Sequence, residues 1–371
     1  MPSTGQFIIQ IFEQLAPKYF ALADDKIGLQ IGTLYKDIKK IMLTLDILEN
    51  VVDDAIEKKV DLIISHHPLI YKPLKNIRTD LPQGRVFEKL IKNNISVYVA
   101  HTNLDVAVGG VNDVLAKKIG LLDIENLETN YIQKYLKLVV YVPKNYQQKV
   151  FEAISNNGAG WIGNYSHCTF NINGTGTFKP LDNSTPFIGK QGKLENVDEV
   201  RIETIIPENK QAQIIKAMIK AHPYEEVAYD LYQLENIGNK FGIGRKGVIP
   251  RTLSLKDFAL LIKEQLNVEG VKVVGNLNKL INKVAIVGGD GDSYVNKAAF
   301  VGVDVLITGD IYYHTAHEAM ANDLALIDVG HHTEKLVFES VKNYLETEIN
   351  KNNLDVEVLI SEVNTNPFKF L

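Results

Sequence analysis

Three apolar runs typical of buried strands each end in a short polar cluster that contains histidine. The clusters are Ser65-His66-His67-Pro68 after VDLII, His101-Thr102-Asn103-Leu104-Asp105 after ISVYVA, and His331-His332-Thr333-Glu334 after LALIDVG. In α/β proteins, ligands bind in the crevice beyond the carboxyl ends of the strands. Because imidazole and carboxylate groups are metal ligands, the sequence predicts a metal site built from three strand ends.

The order of elements predicts a discontinuous α/β domain. From Lys39 onward, nearly all-apolar strands alternate with helices, which is typical of a parallel sheet covered on both faces. The same alternation resumes after a glycine-rich stretch near residue 240. We therefore expect one α/β metal-binding domain formed by residues 1–130 and 237–371, because the two ends hold complementary parts of one ligand set.

The segment 131–236 has a different pattern of predicted strands and helices. Its strand-like and helix-like runs follow the order β-α-β-β-α-β, the split βαβ pattern of ferredoxin-like domains. About 100 residues is a typical size for an independent domain. We expect an inserted α+β domain here.

Composition limits the function classes. A net charge of −5 over 371 residues argues against a dedicated nucleic-acid binder, although a local basic patch is compatible with it. The single cysteine, Cys168, excludes an internal disulfide and any cysteine cluster. The sequence has neither a signal-peptide pattern nor an apolar stretch long enough to span a membrane, so we expect a cytoplasmic protein without a membrane partner.

His66 and His67 are the first candidate ligands. On an extended segment, adjacent side chains point to opposite sides. At a strand end turned by Pro68, two neighbouring imidazoles can instead reach two different metal ions. A structural or surface role is the alternative for such a pair on its own.

The second cluster supplies Asp105 and His101. A carboxylate just after a strand can ligate one metal or bridge two. Asp105 can alternatively cap the helix after Gly109-Gly110. We assign His101 to proton transfer or to support of the ligands, since enough other ligands are present without it.

His331 and Glu334 are three residues apart at the start of a helix, so we expect them to share a face. Glu334 could also serve only as a helix cap, and His332 would point elsewhere. The resulting set is His66, His67, Asp105, His331 and Glu334. Five such ligands are too many for one tetrahedral zinc ion, but they fit two ions about 3.5–4 Å apart.

Two further strand ends are open to more than one interpretation. Asp310 and His314 in GDIYYH could move protons or position water. A capping aspartate with a partly exposed histidine explains them equally well. The run Gly288–Asp292 resembles a phosphate-binding turn but lacks the lysine of a P-loop, so a tight turn at the rim of the site is favoured.

HHPLIYK, HTNLD, TGDIYYH and DVGHHTEK together resemble the NIF-three-like dinuclear-metal family, often labelled GTP cyclohydrolase 1 type 2 homologues. The resemblance covers essentially the whole chain. It implies the same five metal ligands, a ring-shaped homohexamer and an inserted module similar to PII and CutA proteins. The usual family stretch WDNVGL is here Asp24-Asp25-Lys26-Ile27-Gly28-Leu29, with Asp24 and Lys26 at the Trp and Asn positions.

These observations predict a metal-dependent hydrolase that uses two divalent ions and acts on a nucleotide or related small molecule. His101 or His314 would be its general acid or base. Zinc is the favoured ion, and iron, manganese, cobalt and nickel also suit nitrogen and carboxylate ligands. The alternative is a non-enzymatic ring-shaped scaffold or a metal- or metabolite-responsive regulatory protein.

Overall fold

The computed structural model describes residues 3–371, which form two compact units. One unit, here called the two-segment unit, contains the chain up to Tyr131 and again from Phe241. The other, the inserted unit, contains Ile132–Lys240.

The helices and strands follow one another in three stretches of the chain. The first stretch contains α1 Gly5–Leu15, β1 Gly28–Ile31, β2 Lys40–Thr44, α2 Glu49–Glu57, β3 Leu62–Ser65, α3 Pro82–Lys92, β4 Ser96–Val99, α4 Thr102–Val106, α5 Val111–Lys118, β5 Leu122–Asn126 and β6 Tyr131–Ile132. The second contains β7 Tyr135–Pro143, α6 Gln147–Asn156, β8 Thr169–Phe178, β9 Glu195–Pro207, α7 Gln211–Ala221, β10 Tyr229–Leu234 and β11 Lys240–Phe241. The third contains β12 Arg245–Ser254, α8 Leu255–Gln265, β13 Lys272–Val274, β14 Leu280–Asp290, α9 Val295–Phe300, β15 Val305–Gly309, α10 Tyr313–Ala321, β16 Ala325–Asp328, α11 Val337–Lys351 and β17 Glu357–Ile360.

The first sheet of the two-segment unit has the strand order β1-β4-β3-β2-β17. All its neighbours run parallel except β1, which is antiparallel to β4. Every residue of β3 and β4 is buried. This burial explains the apolar runs, because a parallel sheet is covered on both faces.

The second sheet has the order β13-β16-β15-β14-β12-β5, with parallel pairing only among β14, β15 and β16. The two sheets exchange edge strands. β17 from the last part of the chain extends the first sheet, and β5 from the first part extends the second. One continuous cluster of buried side chains draws on both parts of the chain, for example Leu43 and Ile307. The predicted α/β class is confirmed as a mixed α/β architecture with several sheets.

The inserted unit has one antiparallel sheet of order β10-β7-β9-β8. Its elements follow the chain order β-α-β-β-α-β. In β9, burial alternates, with Val200, Ile202, Thr204 and Ile206 inside. Val200, Ile202 and Ile206 pack with α6 and α7 into a separate core, because a sheet with one covered face buries every second residue.

Within residues 3–371, no helix combines the length and the apolarity that crossing a bilayer requires.

Candidate metal centre

The strand order brings two of the polar clusters together. β3 and β4 are parallel neighbours, so His66 after β3 and Asp105 in α4 after β4 emerge at the same sheet edge. Backbone hydrogen bonds continue past the strand end, from His66 N to Thr44 O at 3.1 Å and from His67 N to Leu45 O at 2.9 Å. The main chain that carries the two imidazoles is therefore held in place by the sheet.

The third cluster comes from the second sheet. After β16, Gly330 adopts a φ of +81°, and its N–H donates to Asp328 Oδ1 at 2.9 Å. Residues His331–Leu336 then form a 3₁₀ helix rather than the start of an α-helix. Since side chains three residues apart eclipse one another in a 3₁₀ helix, His331 and Glu334 lie on one face, with His331 Nε2 3.3 Å from Glu334 Oε2.

Glu334 is the centre of the site. Its carboxylate is 3% exposed, and its two oxygens face different partners. Oε1 lies 3.5 Å from His66 Nε2, and Oε2 lies 3.0 Å from His67 Nε2. Asp105 Oδ1 is 3.7 Å from His66 Nε2. Two trios of potential ligand atoms result, each within 4.8 Å: His66, Asp105 and Glu334, and His67, His331 and Glu334.

The other ring nitrogen of each imidazole is already bound. His66 Nδ1 donates to Ala100 O at 3.0 Å, His67 Nδ1 to Asp46 Oδ1 at 2.7 Å, and His331 Nδ1 to Asp310 Oδ2 at 2.6 Å. Metal-binding histidines almost always donate their second N–H to a carboxylate or carbonyl, which fixes the tautomer and the ring orientation. Every Nε2 is thus directed toward the site, where it can ligate a metal ion that displaces any proton it holds.

Two buried atoms of the site lack a hydrogen-bond partner. They are His66 Nε2 and Asp105 Oδ1. Leaving buried polar atoms unpaired costs about 1–3 kcal/mol each. A divalent cation between them would satisfy both, so the donor set fits a metal ion.

Charge inside the site shifts its acids and bases strongly. Burial raises the pKa of Asp105 to about 6. Burial alone would raise the pKa of Glu334 as well, but the neighbouring imidazoles, above all His66, hold it well below its usual range. For His67, burial lowers the pKa, yet the hydrogen bonds to Asp46 and Glu334 outweigh it and raise the pKa to about 10. The same side chains can therefore bind either protons or metal cations at this site.

His101 lies beside these trios. Its Nδ1 donates to Asp25 Oδ1 at 2.9 Å, and Asp25 Oδ2 accepts from Thr102 N at 3.0 Å. One ligand atom each of His101, His66 and His67 lies within 4.8 Å of the others. The structure therefore places His101 where it could ligate a metal or transfer a proton.

Comparisons with known proteins bear on this geometry. A sequence model of the family Duf34/NIF3 (NGG1p interacting factor 3) matches residues 3–367. The chain belongs to the Duf34/NIF3 family. The family membership predicted from the motifs is thereby confirmed.

Relatives and solved structures agree over the full length. The chain is 52% identical to the "GTP cyclohydrolase 1 type 2 homolog" of Bacillus subtilis (strain 168), across 99% of this chain and 98% of that one. It is 47% identical to the protein of the same name from Listeria monocytogenes, with 99% of both chains covered. A crystal structure of a Bacillus cereus protein related to NIF3 matches with a TM-score of 0.92 at 47% identity, covering 100% of both chains.

Within this Duf34/NIF3 chain, the stretch that departs from WDNVGL contributes one residue to the site. Asp24 and Lys26 are both exposed, whereas Asp25 between them holds His101. The hydrogen bond from His101 helps keep the pKa of Asp25 below its usual range despite burial, which opposes that shift. The two departures therefore lie outside the described contacts of the five predicted ligands.

His314 is not brought into the cluster. It is exposed near the start of α10, and its ring packs against Tyr313 with centroids 5.6 Å apart. Among residues 3–371, the groups with converging ligand atoms do not include it. Asp310, its neighbour in the same motif, does reach the site through His331.

Gly289 is the residue whose role the sequence interpretation missed. A Cβ atom there would lie 2.3 Å from Glu334 Oε1 and 3.1 Å from His331 Nε2, and its φ is +63°. The backbone of the preceding Gly288 is also held in place, because its N–H donates to Asn112 Oδ1 at 2.9 Å. The Gly-Gly pair at the end of an apolar strand was the available signal, and it was interpreted only as a tight turn.

Proposed function

We propose that the protein is a dinuclear metal-dependent hydrolase acting on a nucleotide or related small molecule. The observation that carries this proposal is the division of the Glu334 carboxylate. Oε1 faces His66, which Asp105 also approaches, and Oε2 faces His67 and His331. A carboxylate that belongs to both ligand trios could bridge a pair of ions, one in each trio.

Bound divalent ions would lower the pKa of a coordinated water and polarise a carbonyl or phosphoryl oxygen of the substrate. The protein's part is to hold the ligands rigidly. Asp46 and Asp310 orient His67 and His331 through short hydrogen bonds, and Ala100 O orients His66. Preorganised ligands of this kind need no rearrangement before binding.

We propose His101 as the general acid or base. Its Nδ1–H is fixed on the Asp25 carboxylate, and its ring lies beside the His66 and His67 rings, at centroid separations of 5.2 and 5.9 Å. The hydrogen bond to Asp25 fixes the orientation of the ring and leaves its second nitrogen free to exchange a proton. His101→Gln tests the role: activity falls while metal content stays, whereas loss of metal would make His101 a ligand.

Metal content per chain is the primary test. Elemental analysis of the untagged protein compares wild type with Asp105→Asn, Glu334→Gln and the control Glu339→Gln, which changes an exposed glutamate of α11. We expect about two ions per chain, with zinc favoured, in the wild type and the control. Both site variants should lose most of the metal. Metal that survives both changes, or none in the wild type, would reject the centre.

Turnover is the second test. The metal-loaded protein is assayed with GTP, because relatives carry a GTP cyclohydrolase homologue name, and with a phosphodiester such as bis(p-nitrophenyl) phosphate. Hydrolysis that disappears in Glu334→Gln and persists in Glu339→Gln supports the enzyme. Two bound metals without turnover of any nucleotide or phosphoester favour the scaffold or regulatory role instead.

We also propose that the inserted unit is a ferredoxin-like module similar to PII and CutA proteins. Its strand order, β10-β7-β9-β8, and its β-α-β-β-α-β chain order support this assignment. The homohexamer and the cytoplasmic location stay predictions. Light scattering on wild type and Glu334→Gln tests the first: equal masses of six chains would separate assembly from metal binding.

A further inference from the structure

A cavity of about 380 Å³ lies in the two-segment unit beside the metal centre. Its walls come from residues 266–270, 328–336 and 364–370. His331 and its partner Asp310 are part of the wall, so a molecule in this cavity would contact the site itself. The volume falls in the range of small-molecule sites.

Two of the carboxylates that line the cavity are already paired. Asp328 forms an ion pair with Lys272, and Asp310 accepts the hydrogen bond from His331. Their negative charge is largely balanced by their partners. They leave Glu269 as the remaining carboxylate of the wall.

Two lysines of the wall have no such partner. For Lys335 and Lys369 no ion pair is recorded among residues 3–371, and both side chains are exposed. Lys335 follows the bridging Glu334 directly, while Lys369 comes from the last residues of the chain. The cavity therefore presents two unpaired positive charges next to the metal centre, which suits an anionic group.

The wall also contains two aromatic rings, those of Phe368 and Phe370, which are 67% and 54% exposed. Phe370 packs against Gly270, where a Cβ would lie 2.6 Å from the Phe370 ring. Exposed rings in a concave site bind flat ring systems by stacking, which is worth about 1–3 kcal/mol per base.

A hydrogen bond ties this segment to the metal centre. Thr365 Oγ1 donates to Asp46 Oδ2 at 2.5 Å, and Asp46 Oδ1 accepts from His67 Nδ1. The segment 364–370 is thus anchored on a residue that orients a predicted ligand. This anchor holds the start of the segment beside the metal centre, and the residues that follow it line the cavity.

We propose that this cavity is the substrate pocket and that it takes a nucleoside phosphate, with Lys335 and Lys369 on the phosphate and Phe368 on the base. The assignment of the bound molecule as a substrate rests on the proposed hydrolase function. Binding itself rests only on the cavity. The segment 364–370 is then a specificity element of the enzyme.

Isothermal titration calorimetry on the full-length, metal-loaded protein tests the pocket with AMP, adenosine and ribose 5-phosphate as probes. AMP is expected to bind at least about tenfold more tightly than either fragment, because each fragment lacks one of the two contacts. Lys335→Ala and Lys369→Ala should each weaken AMP and ribose 5-phosphate about tenfold and leave adenosine unchanged. Phe368→Ala should weaken AMP and adenosine about tenfold and leave ribose 5-phosphate unchanged.

The matched control is Lys220→Ala, which removes an exposed lysine of the inserted unit and should change none of these affinities. Equal AMP affinity in all lysine variants, or no AMP binding, overturns the proposal. Ribose 5-phosphate affinity that survives both lysine changes but is lost in Glu334→Gln assigns the phosphate to the metals and overturns the role of the lysines. Metal content measured on the same samples separates this failure from failure of the centre, since the pocket variants should keep their metal.

Discussion

The two units bury their polar side chains for different reasons. The two-segment unit buries charged or imidazole groups at strand ends, among them His66, Asp105 and Glu334. The inserted unit buries few polar side chains, and among them is one imidazole, that of His222. Its core is otherwise an apolar layer between one sheet face and two helices.

The two buried histidines show what the difference means. His222 uses both ring nitrogens inside the protein: Nε2 donates to Tyr141 O at 3.0 Å, and Nδ1 accepts from Tyr224 N at 3.1 Å. His66 uses only Nδ1, and its Nε2 is buried without a partner. A histidine with a satisfied ring stabilises the fold, whereas one with an unsatisfied, aimed nitrogen is available for a ligand.

Replacing each of these histidines gives the largest expected contrast. His66→Ala should abolish binding of the ion shared with Asp105, because an imidazole and the ligand pair it completes are lost. His222→Ala should keep full metal content but lower thermal stability by several degrees, since two hydrogen bonds disappear from the inserted unit. Elemental analysis measures the metal content, and calorimetric melting measures the thermal stability. Loss of metal in His222→Ala would contradict the assignment of His222 to the fold alone.

A pair of glycines tests the same contrast through the backbone. Gly289→Ala brings a Cβ to within 2.3 Å of Glu334 Oε1 at a φ of +63°, so the bridging carboxylate must shift. We expect metal affinity to fall by about a hundredfold, the upper end for groups that orient ligands. Gly174→Ala in β8 of the inserted unit meets no atom within 4 Å and is the control. Competition with a chromophoric chelator measures both; an unchanged Gly289→Ala affinity would contradict the assigned role of Glu334.

The release of protons on metal binding should also distinguish the histidines of the two units. Hydrogen bonds to carboxylates raise the pKa of His331 to about 9 and, against the opposing effect of burial, that of His67 to about 10. These imidazoles therefore hold protons at pH 7, which a metal must displace, and affinity should rise with pH by about tenfold per unit for each proton released. Burial lowers the pKa of His222, so that ring stays neutral and adds nothing to this release. Calorimetric titration of zinc in buffers of different ionisation enthalpy between pH 6 and 8 counts the protons; affinity independent of pH would argue against the imidazole ligands.

The smallest expected effect concerns the segment that lines the cavity. Thr365→Val removes the hydroxyl that donates to Asp46 while keeping the shape of the side chain. Asp46 still accepts from His67, so we expect only a few-fold loss of metal affinity, consistent with about 1 kcal/mol for one hydrogen bond. Thr365→Ser restores the hydroxyl and should restore the affinity. A Thr365→Val protein without metal would show that the segment does more than position Asp46.

The sequence pointed to the side chains that converge in the structure more clearly than to the scaffold that assembles them. His66, Asp105 and His331 follow apolar runs, and that placement alone predicts convergence at a sheet edge. The orienting carboxylates were less visible. Asp46 lies two residues after the end of β2, and Asp310 adopts a φ of +55° that turns it toward His331 in a way no local pattern specifies.

The division of the two-segment unit into two sheets was also not visible in the sequence. β5 reads LDIEN, a mostly exposed run with neither strong alternation nor strong apolarity, and β17 is four residues long. Such edge strands depend on their partners more than on their own propensity. Likewise the 3₁₀ geometry of His331–Leu336 follows a turn at Gly330, whose N–H bonds to Asp328 two residues earlier. The run of polar residues there was interpreted only as the start of a helix.

The exchange of edge strands has a consequence for the order of events during synthesis. β2 acquires its neighbour β17 only after the ribosome has made nearly the whole chain, and Lys39 bonds to Asp355 across 316 residues. His67 likewise lacks its partner Glu334 until a further 267 residues have been synthesised. Pairing over such separations is slow and cannot begin before the late partner emerges. The histidine pair His66 and His67 is thus synthesised long before Glu334, and the predicted ligand set is complete only once residue 334 has been made.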